Sequence, residues 1–359
     1  MEIKIKIPEN FEKILKIIGF DKTNINSYVQ IDNDVIHYYS SVEGLEILPL
    51  KEALKKYNWL EDHLWKLIDK NRDEYTKQVE DNLGYFIRVK KNVHVKIPIQ
   101  ACLLIKKKEF KQKVHNIIIA EENSSIDILT GCATPVEDAF HIGVSEFYLK
   151  KGSKVRFTMI HAWRKNVEVR PRTAALIEDN ATFISTYVNI SPVRSLQMLP
   201  VVYCRGRESS AYLYSIIYGK EKSNFDIGGK IILEGKNSKG EITSRILAAD
   251  ESRISVKSII EGNNIVKGHI ECNALLTSDK SFIEAIPRLI AKNENAELTH
   301  EASIGKINEE EIYYLMARGL SEKEAKEIIV KGFLSLDMFL PKYVKNQIEF
   351  IISKDFGQM

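Results

Sequence analysis

Near its C-terminal end the chain reads "AKNENAELTHEASIGKINEEEIYYL", with Thr299, His300 and Glu301 where strand-like alternation gives way to helical spacing. An imidazole beside a carboxylate is an ordinary solvated or capping pair at such a junction. It is also half of a metal-ligand set if a soft donor arrives from elsewhere. The soft donors are Cys102, Cys132, Cys204 and Cys272, far apart and with no C-x-x-C pair, which excludes zinc-ribbon and thioredoxin-like spacing. In a cytosolic chain they are reduced, and each reads first as a small buried hydrophobe. The remaining histidines, His37, His63, His94, His115, His141, His161 and His269, read as structural, His141 the least securely.

Other chemistry is absent. "NFDIGGKI" has the Gly-Lys of a phosphate loop but neither its leading glycine nor its hydroxyl residue. "HEASI" begins like a zincin, yet Ile304 stands where the second histidine belongs. No G-x-G-x-x-G opens a helix, no G-x-S-x-G elbow occurs, and the deaminase H-x-E with P-C-x-x-C is missing. A carbohydrate-active enzyme on a β-solenoid stays open as an alternative, without a carboxylate cluster to support it.

The elements that must position these residues come in three blocks. Residues 1–82 read as an N-terminal helical region. "PENFEKILKIIGF" puts Phe11, Ile14, Leu15 and Ile18 on one face, and "LKEALKKYNWLEDHLWKLIDKNRDEYTKQVED" reads as a longer helix with Leu54, Tyr57, Leu60, Leu64 and Leu67 at helical spacing. From 83 to 300, short β-branched and aromatic runs follow one another. Polar turns near Asn123, Gly152, Asn180, Arg207, Asn237, Asn263 and Asn293 separate them, spaced by roughly 26 to 31 residues as in stacked repeats. No helical crossovers intervene and Asn-Gly hairpin signals are scarce, so a parallel solenoid is favoured over a doubly wound sheet or a sandwich. Residues 301–359 read as a C-terminal helical region. Asn308 with Glu311 and Ser321 with Glu324 start two helices, Gly319 and Gly332 stop them, and "PKYVKNQIEFIIS" follows Pro341.

The 359 residues are 44% hydrophobic and 28% charged, and Lys+Arg at 52 against Asp+Glu at 49 leaves +3, too even for a nucleic-acid binder. No apolar run approaches the roughly 18 residues of a membrane span. The charged start "MEIKIKIPEN" is unlike a signal peptide, so the location is expected to be cytoplasmic.

The blocks "NIIIAEENSSIDILTGCATP", "HIGVSEFYLKKGSKVRFTMIHAW", "VRPRT" and "HIECNALLTSDK…AELTHEASIGKINEEEIYYLMARGLSEKEA" resemble the SufB/SufD family of the SUF iron–sulfur cluster assembly system, from about residue 82 onward. The resemblance implies a right-handed parallel β-helix flanked by N- and C-terminal helical regions. It implies a non-catalytic scaffold for a transient iron–sulfur cluster that is passed to apo-proteins, binding no nucleotide itself. The implied partners are a SufC-type ABC ATPase on the C-terminal helices, a second SufB/SufD-like subunit, expected as a homodimer, and a sulfur donor. Cys272, His300 and Glu301 fall on the family's cluster-binding positions, with Thr299 replacing the first carboxylate of a Glu-His-Glu triplet. Cys132 falls on the internal cysteine of the sulfur relay. A SufD-like partner carrying no cluster is the alternative.

Overall fold

The computed structural model describes residue 7 and residues 11–21, 24–334, 345–346, 348–350 and 352–353. Two ten-stranded sheets face each other as a parallel β-solenoid of about eight turns. In spatial order the first sheet runs β2 (Asp34–Tyr39), β1 (Ser27–Ile31), β5 (Ile99–Leu104), β7 (Ser125–Ala133), β9 (Lys154–Ala162), β11 (Thr182–Asn189), β14 (Ser210–Gly219), β16 (Lys239–Ala248), β18 (Val266–Leu276) and β20 (Ala296–Lys306). The second runs β19 (Phe282–Ala291), β17 (Arg253–Gly262), β15 (Asn224–Leu233), β12 (Ser195–Gln197), β10 (Glu168–Ile177), β8 (Ala139–Leu149), β6 (Phe110–Ala120), β4 (Tyr85–Val89) and β3 (Leu45–Pro49), with β13 (Val201–Cys204) between β10 and β15. Pairing is parallel except in β1/β2 and β3/β4.

The coils differ slightly in length. Glu168 pairs with Ser195 on the next coil and Phe86 with Ile117, a spread that matches the uneven turn spacing. The turns work because one residue at a corner takes a left-handed conformation: Asn123 (φ 53°), Gly152 (68°), Asn180 (56°), Glu208 (56°) and Asn237 (62°). Asparagine tolerates that region better than most side chains. Each corner also donates its N–H to the coil above, as Asn123 does to Lys151 and Asn180 to Arg207. Alternate residues then fill the interior, where Phe147 meets Phe157 and Phe183 with ring centroids 4.8 and 5.0 Å away.

Helix α1 (Glu12–Ile17) lays Phe11, Ile14, Leu15 and Ile18 on the outer face of the first sheet, as its spacing predicts. Ile18 sits over Gly131, where an added Cβ would lie 2.6 Å from its Cδ1. Ile348 and Ile352, from the segment after Pro341, join the same apolar layer, as do Val330 and Leu334 of α4 (Glu322–Leu334). Residues 335–344 of that region lie outside the described residues. No helix among the described residues is long and apolar enough to cross a membrane.

Four expectations need correction. Residues 27–49, read as helical, form β1, β2 and β3, because Ser27–Ile31 continues the first sheet in register with Gln100–Leu104. The long helix expected from Leu50 ends at Lys56 as α2 (Leu50–Lys56), followed by 3-10 turns at Asn58–His63 and Thr76–Gln78. Its backbone donors go elsewhere: the Glu146 carboxylate on β8 accepts from Trp65, Leu67 and Ile68, and Trp65 is left-handed at φ 56°. The apolar residues at helical spacing still pack, on the outer face of the second sheet. The solenoid also runs past residue 300, since β20 pairs with β18 through Lys306, so Thr299–Glu301 lie within a strand. Finally, Ser321 and Glu324 form the expected capping box, but Asn308 caps α3 (Glu309–Ala317) by accepting from Glu310, and α4 continues through Gly332.

Glu146 anchors the 58–81 strap. Its carboxylate lies 2.8 Å from His115 Nε2, both side chains fully buried, and Asp81 lies 3.7 Å from Nδ1. Burial pulls His115 down, but the neighbouring Asp81 and Glu146 carboxylates outweigh it and leave the imidazole above its ordinary value. Breaking a buried pair by removing one partner costs roughly 3–5 kcal/mol, so Glu146→Ala should lower stability by that amount in urea unfolding. The raised imidazole pKa stabilises the fold below its unfolded value of about 6.5, and this is lost as pH rises through the folded value. His115→Gln should therefore lower the Tm more at about pH 6 than at about pH 9; an equal loss at both would refute the charged pair.

Candidate functional site

The site residues occupy the last two strands of the first sheet. Along β18, Ile270, Cys272 and Ala274 point inward, each at most 2% exposed. On β20, His300 is in register with Ile270 and Ala302 with Cys272, so the His300 side chain emerges on the same inward face as the thiol. From the ~4.8 Å between strands and ~6.6 Å along two residues, their Cα atoms are about 8 Å apart. His300 is nevertheless exposed, because β20 and β19 end their sheets and the final coil has nothing stacked upon it. Phe282, Ile286 and Ile304 are each 42% exposed on these end strands.

Glu301 goes the other way. Strand alternation turns it outward, in register with Glu271, and Thr299 lies outward too, its hydroxyl 2.8 Å from His269 Nδ1. One Glu271 oxygen is held at 2.7 Å by both Arg245 Nη2 and Asn273 Nδ2. Among the described residues no three His, Cys, Asp or Glu side chains converge as a metal-binding group. Cys272 and His300 are thus brought together within one chain and Glu301 is not. Burial pushes the Cys272 thiol up to about 11, with Arg245 pulling it down and Glu271 pushing it up.

Cys132 lies deep in the solenoid on β7, 1% exposed, with burial pushing its thiol upward. Its in-register neighbour on β9 is His161, also inward-facing, whose Nδ1 is 2.7 Å from the Tyr187 hydroxyl. Five strand steps separate β7 from β18, so Cys132 and Cys272 are about 24 Å apart and cannot exchange sulfur by direct contact. Between them the rows bring Thr130, Met159, Tyr187, Ser215, Ser244 and Cys272 into one inward column. Ser215 Oγ donates to Ser244 Oγ at 2.9 Å, and a cavity of about 40 Å³ touches Tyr187, Ser215 and Ser244. No motif announces this column; only the coil length could have found it, by stepping back from Cys272. Cys204 faces inward from the second sheet and Cys102 outward beneath α1, both buried, as expected of core residues.

A second surface lies on α3 and α4. Tyr313 and Tyr314 are 63% and 58% exposed, and Met316 and Ile328 are also exposed. A cleft of about 400 Å³ between the helices is lined by Asn308, Glu310, Glu311, Tyr314, Leu315 and Ile329.

Exposed side chains without buried partners change stability little, so His300→Ala and Glu301→Gln should each fall within about 0.5 kcal/mol of wild type in urea unfolding. A larger loss from either would mean that the end coil depends on that side chain for its structure.

Residues 103–333 match the family model described as "SUF system FeS cluster assembly, SufBD core domain". The chain is 45% identical over 330 residues to an iron-sulfur cluster assembly SufBD family protein of Archaeoglobus fulgidus, covering 90% of this chain and 89% of that one. It is 43% identical over 345 residues to a protein of the same description from Methanothermobacter thermautotrophicus, covering 93% and 84%. With the iron-sulfur cluster assembly protein SufB of Bacillus subtilis it shares 28% over 339 residues, 92% and 72% of the two chains.

Proposed function

The chain belongs to the SufB/SufD family of the SUF iron–sulfur cluster assembly system, and from that premise we propose that it is the scaffold on which nascent clusters are built and then passed to apo-proteins. The observation that carries this reading is the shared inward face of Cys272 and His300 on the last two strands of an open coil. The cluster is cargo here. Iron with sulfide favours thiolate and imidazole ligands, and two such donors hold a cluster less firmly than four cysteines, which suits a protein that must release it.

Two further donors come from a second subunit. Edge strands of ten and eleven residues with exposed Phe282, Ile286 and Ile304 leave unpaired backbone and apolar surface, the features that pairing with another chain removes. A homodimer joined there sets two Cys272–His300 pairs face to face. Glu301, outward on its own chain, joins the ligand set only if the interface rearranges the end strand.

The ATPase is a SufC-type subunit docking on α3 and α4, where exposed tyrosines and an acidic cleft fit a partner with apolar and basic side chains. Helix α4 packs Val330 and Leu334 into the layer that holds Leu247 of β16, so a pull on the helix acts on the strand beside Cys272. The chain itself is non-catalytic and works in the cytoplasm. Sulfur is carried inside the solenoid by Cys132. Because about 24 Å, five strand spacings, separates Cys132 from Cys272, sulfur crosses the remaining distance as a small diffusing species.

Anaerobic reconstitution with ferrous iron and sulfide tests the reading. Cys272→Ser should abolish the visible absorption of the cluster, and His300→Ala should leave a cluster that a chelator strips at least about tenfold faster. An unchanged yield in Cys272→Ser favours the SufD-like partner, a reading that the outward Glu301 and the Thr299 replacement support. An ATPase subunit should co-purify with the full chain and be lost from a chain lacking 309–334; equal recovery with both would count against the docking surface.

A further inference from the structure

The outer face of the end coil carries a polar row of its own. Arg245, Asn273 and Ser303 are in register across β16, β18 and β20, on the face opposite to Cys272. Beside them a cleft of about 400 Å³ opens against the last turn of α4, lined in part by Leu275, Gly332 and Phe333. Arg245 lines it too, with Nη2 2.7 Å from Glu271 and Nη1 buried without a hydrogen-bond partner. Buried polar atoms almost always find partners, and a guanidinium N–H can only donate, so an orphaned one marks a place for an acceptor from outside.

We propose that this cleft binds a small organic anion, its carboxylate or phosphate head against Arg245, Asn273 and Ser303 and its apolar body against Leu275 and Phe333. The donors are already in place. Arg245 Nη1 offers its N–H groups, Asn273 Nδ2 keeps one N–H beyond the one it gives Glu271, and the exposed Ser303 hydroxyl adds another. Among the described residues no carboxylate lines the cleft, so its walls neither take up these donors nor repel an oxyanion. Charge-assisted bonds from arginine are the strong ones, and the planar guanidinium suits both head groups.

Space and charge set the limits. The cleft far exceeds the volume of about 10–15 Å³ that one water needs, so it has room for a molecule larger than water. Room continues at Gly332, where an added Cβ would meet nothing within 4 Å. Leu275 and Phe333 also pack against the apolar layer on the outside of the first sheet, which fixes the wall they form. Glu271 works against the guest, because its carboxylate draws on the same guanidinium and repels a second anion. Neutralising Glu271 therefore strengthens the site. The site stands whether or not Cys272 carries a cluster.

Titration calorimetry of the full chain with inorganic phosphate, phenyl phosphate and benzoate, at constant ionic strength set by sodium chloride, tests the site. Phenyl phosphate or benzoate should bind at least about tenfold tighter than inorganic phosphate, and the tighter of the two identifies the head group. Arg245→Gln should weaken that ligand at least about tenfold, the scale of one lost hydrogen bond to a charged group. Glu271→Gln should tighten it severalfold. Gly332→Leu, which puts a side chain into the open space of the cleft, should weaken it with Arg245 intact. Circular dichroism checks that each variant is folded. No binding of either aromatic anion to wild type or to Glu271→Gln, or affinity no better than that of inorganic phosphate, would overturn the proposal. So would an Arg245→Gln or Gly332→Leu variant that binds like wild type, or a Glu271→Gln variant that binds no tighter.

Discussion

Parallel in-register pairing, repeated from coil to coil with a left-handed residue at many of the corners, is the constraint from which the rest of the molecule follows. It converts sequence separation into position: residues one coil apart become neighbours on adjacent strands, with side chains on the same face. Cys132 meets His161 this way, Ser244 meets Cys272, and Ile270 meets His300. None of these pairs is local, and none needs a local motif. The corner N–H groups that bond to the next coil keep the stack from slipping, and slippage by one residue would exchange every inward side chain for an outward one.

The same rule explains why chemistry collects at one end. Inside the stack every inward side chain is covered by coils above and below, so an interior thiol such as Cys132 is shielded and unreactive toward large partners. The last coil has one covered side only. There His300 shares the inward face of Cys272 and remains exposed, while its neighbour Glu301 is turned away. A parallel solenoid thus offers two environments for the same residue types, a closed interior and an open terminus.

Much of this was legible in the residues themselves. The polar turns at Asn123, Asn180 and Asn237 announce the coil and its length, because asparagine is among the few residues that relieve a left-handed corner. Phe11, Ile14, Leu15 and Ile18 announce a helix laid on a flat apolar face. The strap of residues 58–81 was not legible, since its apolar spacing is that of a helix; what prevents the helix is the Glu146 carboxylate, on a strand far along the chain, which takes its N–H groups. The faces of His300 and Glu301 were hidden for a subtler reason. Ile270 pairs with His300, and a final coil shorter by a single position would have turned Glu301 inward and His300 out. Coils that vary by a few positions from turn to turn still read as a clear period, yet they leave the parity of any single strand undecided.

The apolar layer on the outside of the first sheet carries a mechanical implication. Phe11 and Ile18 from one end of the polypeptide, Val330, Leu334, Ile348 and Ile352 from the other, share one continuous seam running across the strands from Val29 to Ala249. The two termini therefore behave as a single splint bound along the length of the coil. A load applied to either end spreads over most of the rungs instead of peeling them one at a time, so a force-generating partner that grips the C-terminal helices takes hold of the whole rod.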